Sequence, residues 1–149
     1  MNQAGVRTFE AAAFLRRNGA DVVRVRKLFR DRLEDYRARA EAIQKAEIYH
    51  GAFAISVCPS EGLESPTVVG AQAANELLDI VGIKASFILT QMGDTIYFSA
   101  RSIDEINVQI IMERLGGGGH RTIAGAQLKD EAREKLKDLI TDMMEKGEI

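Results

Sequence analysis

Ala85-Ser86-Phe87-Ile88-Leu89-Thr90-Gln91-Met92-Gly93-Asp94-Thr95-Ile96-Tyr97-Phe98-Ser99-Ala100 decides the fold. Two runs rich in Ile, Leu, Phe and Tyr flank Gly93-Asp94, a pair suited to a tight turn. The stretch predicts strands over Ala85–Gln91 and Thr95–Ala100. Toward the C-terminus, Val108, Ile111, Met112 and Leu115 recur at i, i+3, i+4, i+7 and predict a helix over Ile103–Leu115. Toward the N-terminus, Val69, Ala73, Leu77 and Val81 fall near one face of a helix over Val68–Val81, which Gly82 ends. Ile48–Val57 reads as one buried strand and Ile123–Leu128 as a short one. Asp130–Lys146 reads as a closing helix with Ala132, Leu136, Leu139, Ile140 and Met143 facing inward. The order from residue 47 is strand, helix, strand, strand, helix, strand, helix. That order predicts an α/β fold, a mixed sheet of about four to five strands flanked by helices.

An all-helical lead-in precedes this sheet. Thr8 suits the N-cap of a helix over Phe9–Asn18, with Gly19 at its C′ position. Asp21 suits the cap of a second helix carrying Val22, Val25, Leu28 and Phe29 at helical spacing. A third helix is expected from about Asp31 to Ala46, with Leu33, Tyr36, Ala40 and Ile43 as a thin apolar stripe. The pattern changes near residues 44–48, which divides the chain into 1–46 and 47–149.

Composition narrows the function classes. Hydrophobic residues make up 46% and charged residues 28% of the 149, the balance of a globular protein in water. The formal net charge of -2 supplies no overall basic field for nucleic acid. Arg16, Arg17, Arg24, Arg26, Lys27, Arg30 and Arg32 are dense, but acidic residues interleave with them and aromatics do not, so they read as a solvated face. Cys58 is the single cysteine, which excludes an internal disulfide and reads as a small buried hydrophobe. No apolar run approaches the ~18 residues of a membrane span, and no signal-peptide core opens the chain. The expected location is cytoplasmic. His50 and His120 are the only histidines, too few for a histidine-based metal cluster; His50 reads as structural.

Gly116-Gly117-Gly118-Gly119-His120 follows the predicted helix over Ile103–Leu115. One glycine suffices to end a helix, and ordering four carries roughly 1 kcal/mol each relative to alanine. Bare backbone of this kind suits a phosphate, gripped by convergent amides in an anion-binding nest. The helix presents its negative end to the run, so its dipole would oppose phosphate. Attraction then has to come from nest amides, from His120 and Arg121, and from Arg101 beside Ser102 at a strand end. The candidate phosphate-binding residues are therefore Arg101, Ser102, Gly116, Gly117, Gly118, Gly119 and His120.

Ser99-Ala100-Arg101-Ser102, Asn107-Val108, the run at 116–120 and Ala124-Gly125 together resemble the DHH-associated C-terminal domain of the DHH phosphoesterase superfamily. The likeness is strongest to bacterial cyclic di-AMP phosphodiesterases. It extends to Arg7-Thr8-Phe9-Glu10-Ala11-Ala12, Gly19-Ala20-Asp21, Ala85-Ser86-Phe87 and the stretch from Asn107 to Glu113. The resemblance implies a substrate-binding domain with no catalytic residue and no metal of its own. It implies an upstream DHH domain of the same chain that holds two manganese ions through an Asp-His-His motif, which this sequence lacks. Residues 1–46 would then be the end of that catalytic domain and its connector. Asn107 and Thr122 would support the glycine loop. The implied ligand is a cyclic dinucleotide or AMP-like nucleotide; a homodimer and a membrane anchor far upstream also belong to the expectation. Relatives acting on short oligoribonucleotides, single-stranded DNA or adenosine bisphosphate form the alternative, as does a nucleic-acid-binding module like that of alanyl-tRNA synthetases.

Overall fold

The computed structural model describes residues 7–11, 13–14, 22–28, 30–103 and 105–149. It divides into two compact units, Met1–Leu33 and Glu34–Ile149. In the first, the backbone is helical at 7–11 and 13–14 and again in α1 (Val22–Leu28). Asn18, Gly19, Asp21 and Phe29, which figured in the expected caps and stripe, lie outside the described residues.

The second unit runs α2 (Leu33–Gln44, its first residue in the first unit), β1 (Glu47–Tyr49), β2 (Phe53–Cys58), α3 (Pro66–Leu77), β3 (Ala85–Met92), β4 (Thr95–Ser102), α4 (Val108–Arg114), β5 (Gly118–Gly119), β6 (Ile123–Leu128) and α5 (Ala132–Glu145). The strands form one mixed sheet in the order β1-β2-β3-β4-β6-β5. Only β2 and β3 are parallel, joined through α3; the other pairs are antiparallel. The fold is the expected mixed α/β sheet with helices on its faces. It has six strands because β1 and the two-residue β5 join it at the two edges.

Strand alternation sorts the core into two layers. On one face Phe53, Ile55, Phe87, Leu89, Phe98 and Ala100 pack with Val108, Ile111 and Met112 of α4 and Leu136, Ile140 and Met143 of α5. Each large side chain buried there contributes roughly 1.5–3 kcal/mol. On the other face Ala54, Cys58 and Ile88 pack with Val69, Ala73, Ala74 and Leu77 of α3 and Ala38 and Ala42 of α2. That layer is thin because hydroxyls bond helix backbone directly: Ser56 Oγ donates to Ala42 O and Ser86 Oγ to Ala74 O, each at 2.6 Å. Close approach selects small residues. A Cβ on Gly70 would lie 2.6 Å from Thr90 Oγ1.

Four expected elements differ. Ile48–Val57 is not one strand. The chain reverses at His50-Gly51, both with positive φ (50° and 74°), and Ala52 N–H donates to Tyr49 O at 3.4 Å. Apolar residues on both arms concealed a turn whose first central residue is an unusual choice. The buried face of α2 is Ala38, Arg39 and Ala42, whereas Leu33 and Tyr36 are exposed; Arg39 reaches Glu76 at 2.7 Å and Gln72 at 3.2 Å on α3. α3 starts earlier, with Pro66 in its first turn, and stops at Leu77, leaving Val81 fully exposed. α4 starts at Val108 rather than Ile103, because Asn107 Oδ1 accepts from Gln109 N–H (3.1 Å) and Ile110 N–H (3.4 Å).

Candidate functional site

The glycine run is a helix cap followed by an edge strand. Gly116 takes φ 87°, its N–H donates to Glu113 O at 3.0 Å, and Gly117 N–H donates to Met112 O at 2.8 Å. These two bonds form a Schellman motif that closes α4 and satisfies its last carbonyls. The expected nest of converging amides is therefore not formed: two of the four amides are committed to the helix. Gly118 and Gly119 pair with Gly125 and Ala124 of β6. His120 N–H donates to Ile123 O at 2.7 Å and closes the hairpin. Ladder alternation then turns the Gly119 N–H outward from the sheet edge.

The four glycines answer different demands. A Cβ on Gly117 would lie 2.0 Å from Gly125 O, and one on Gly119 would lie 2.6 Å from Ala124 Cα. Gly119 also has φ 143°, a region side chains rarely adopt. Gly118 is different: its φ is not positive, and a Cβ there would meet nothing. The fold accounts for Gly116, Gly117 and Gly119 and leaves Gly118 bare without a structural cause.

Arg101 sits on β4 opposite Ile123 of β6. Its side chain is half-buried, and Nη1 donates to the carbonyl of the preceding residue, Ala100 O, at 2.9 Å. Among the described residues no carboxylate pairs with it. Burial alone pulls its pKa below the ordinary arginine value, but a guanidinium keeps its charge at neutral pH. His120 lies two strand spacings away, about 10 Å between backbones, with an exposed side chain. Arg114, the nearest cation on α4, is held by Glu148. Arg101 and His120 thus face one end of the sheet with the glycine edge between β6 and solvent.

Ser102 stands in the frame of the site. It is 6% exposed, and its hydroxyl donates to Ile106 O at 2.6 Å, with Arg121 O at 3.4 Å. Ser102 N–H donates to Thr122 O at 3.0 Å, and Val108 N–H to Arg121 O at 2.9 Å. The Thr122 carbonyl accordingly ties the hairpin end to β4, and the Arg121 carbonyl ties it to the start of α4, which Asn107 caps.

Reading by composition missed the other end of the strip. Tyr97, Ser99 and Arg101 alternate onto one face of β4, and Ile123, Gly125 and Gln127 lie opposite them on β6. Phe98 points the other way, into the core. An open cleft of about 480 Å³ is lined by Tyr97, Phe98, Gly116, Gly117, Gly125, Ala126 and Gln127. The period-two spacing from Tyr97 to Arg101 carried this information, but Gln127 joins only through strand register.

Among the described residues, no group of three or more His, Cys, Asp or Glu side chains could hold a metal ion, and no helix is long and apolar enough to cross a membrane. Cys58 is buried. His50 Nε2 lies 3.0 Å from Thr141 Oγ1, and Tyr49 OH 2.8 Å from the same atom.

Fold and site together define an α/β domain whose glycine edge borders β6, where Ile123 and Gln127 are exposed. The DHHA1 domain family matches residues 52–146, and the chain belongs to that family. It is 44% identical to the cyclic-di-AMP phosphodiesterase GdpP of Geobacillus thermodenitrificans, over 97% of this chain and 23% of that protein. It is 42% identical to the cyclic-di-AMP phosphodiesterase PdeA of Listeria monocytogenes, over 98% of this chain and 23% of the relative. The chain thus spans about a quarter of the curated relatives it matches. Among solved structures, an exopolyphosphatase-related protein from Bacteroides fragilis aligns over 99% of this chain and 44% of its own, with TM-score 0.70 and 18% identity. The C-Ala domain of Aquifex aeolicus alanyl-tRNA synthetase aligns over 65% of this chain and 98% of its own, with TM-score 0.50 and 23% identity. Both share the fold.

Proposed function

We propose that this chain is the nucleotide-holding part of a metal-dependent phosphodiesterase that acts on a cyclic dinucleotide of the cyclic di-AMP type. Arg101 and His120 hold phosphate oxygens, the outward Gly119 N–H adds a backbone donor, and bare Gly118 lets the ligand approach the edge strand. Ser102 braces this arrangement from behind. Residues 1–46 are the end of the catalytic domain and its connector. The manganese ions belong to that upstream domain, where they supply an activated water and neutralise charge on the phosphodiester. This chain's own part is to orient the phosphate and exclude wrong poses.

The observation that carries the reading is Arg101: a half-buried guanidinium, without a carboxylate among the described residues, beside a glycine edge. A cation half out of water without a counterion is stabilised when an anion arrives. Titration calorimetry with AMP tests it. Arg101→Ala is expected to weaken AMP about 10- to 100-fold, the weight of one charge-assisted contact, with the melting temperature little changed. Unchanged affinity overturns the assignment. Manganese-dependent hydrolysis of cyclic di-AMP by this chain alone overturns the division of labour.

A further inference from the structure

We infer that the cleft between Tyr97 and Gln127 is a nucleobase subsite selective for adenine. The inference rests on the phosphate reading of Arg101 and extends it to the other half of the ligand.

Tyr97 and Gln127 are direct cross-strand partners on β4 and β6. On a shared face, such a pair sits with Cβ atoms about 5 Å apart. Among the described residues, neither the Tyr97 hydroxyl nor the Gln127 carboxamide has a hydrogen-bond partner. Both line the 480 Å³ cleft. A ring and an amide standing free beside one concavity are the two groups that grip a heteroaromatic base, one by stacking and one by edge-on hydrogen bonds.

Three of the remaining lining residues are glycines. Gly125 lies on the same face two residues from Gln127, and a Cβ there would come within 2.9 Å of Phe98 O. Gly116 and Gly117 form the wall. Glycine on two sides leaves a slot that a flat ring can enter, whereas an aliphatic or peptide ligand would find little apolar side chain to bury against.

Spacing links the cleft to the phosphate end. Tyr97 and Arg101 lie on one face, four strand positions apart, about 13 Å along β4. Both side chains are long, which shortens that interval, so the cleft and the phosphate end can be reached by one ligand. The choice of adenine follows from Gln127. A carboxamide offers a donor and an acceptor side by side, which match the acceptor N7 and donor N6 amino group of adenine; guanine presents two acceptors there.

Titration calorimetry with AMP, GMP and ribose 5-phosphate separates the two ends of the site. AMP is expected to bind about tenfold tighter than ribose 5-phosphate, the contribution of one stacked base. Tyr97→Leu should bring AMP down to the level of ribose 5-phosphate, and Tyr97→Phe should not. Gln127→Ala, at an exposed position, should erase the preference for AMP over GMP and leave ribose 5-phosphate unchanged. Equal binding of AMP and ribose 5-phosphate, or an AMP preference that survives Gln127→Ala, overturns the base subsite and leaves the phosphate reading standing. Absence of binding by all three ligands overturns the phosphate reading and this inference with it.

Discussion

Gly117 and Gly118 are adjacent and chemically identical, yet they answer to different forces. At Gly117 a single methyl would be driven into the Gly125 carbonyl and the Ala126 backbone, neither of which can rotate away. Gly117→Ala is therefore expected to cost about 3 kcal/mol or more, in the upper range for forced overpacking. At Gly118 the methyl meets open space. Gly118→Ala should leave stability within about 1 kcal/mol of the parent, with a gain from the stiffer unfolded chain. Affinity for AMP should nevertheless fall, because the methyl occupies the bare approach to the edge strand. Urea unfolding and AMP titration of the two variants check this. An AMP affinity unchanged by Gly118→Ala would show that the ligand does not use that stretch of backbone.

At the scale of elements, the hairpin end is fixed by the helix before it. α4 is only seven residues long, too short to persist without its caps. Asn107 holds its start through two amides, and the glycine pair holds its end. Val108 N–H in turn fixes the Arg121 carbonyl next to His120. Asn107→Ala is expected to cost about 1 kcal/mol and to lower the melting temperature by about 2–4 °C. Asn107→Asp or Asn107→Ser should restore most of it, since each again offers a side-chain acceptor to the first turn. Thermal unfolding of the three variants measures this; a fully stable alanine variant would mean that the Arg121 contact, not the cap, sets where α4 begins.

At the scale of the whole molecule, Cys58 reports on the closure of the layer between α2 and the sheet. It is 1% exposed, and its thiol lies 3.9 Å from Ala38 O on α2. Burial, with a smaller push from the Glu41 carboxylate, raises its pKa from 9.0 to about 11. The folded chain therefore holds that proton more tightly than the unfolded chain does. The resulting stability is complete below pH 9.0 and is lost as pH rises through about 11. The gap between those values corresponds to about 2–3 kcal/mol. Unfolding free energies of the parent and Cys58→Ala should converge by that amount over this interval. A constant difference would show that the thiol stays buried without controlling alkaline stability.

The sequence alone determined the hairpin around Gly93-Asp94, the helical period of α5, the mixed α/β class and the family likeness. Each rests on local alternation, on helical spacing or on a motif, and these are written within a few consecutive residues. Only the tertiary structure decided the reversal at His50-Gly51, the start of α4 at Asn107, the inward turn of the Ser102 hydroxyl and the separate duties of the four glycines. Those outcomes depend on which backbone groups find partners far along the chain. The pairing of Tyr97 with Gln127 is the clearest case. A strand's own sequence fixes which residues share a face, but register against a distant strand fixes which side chains meet across it, and that register is set by the packing of the entire sheet.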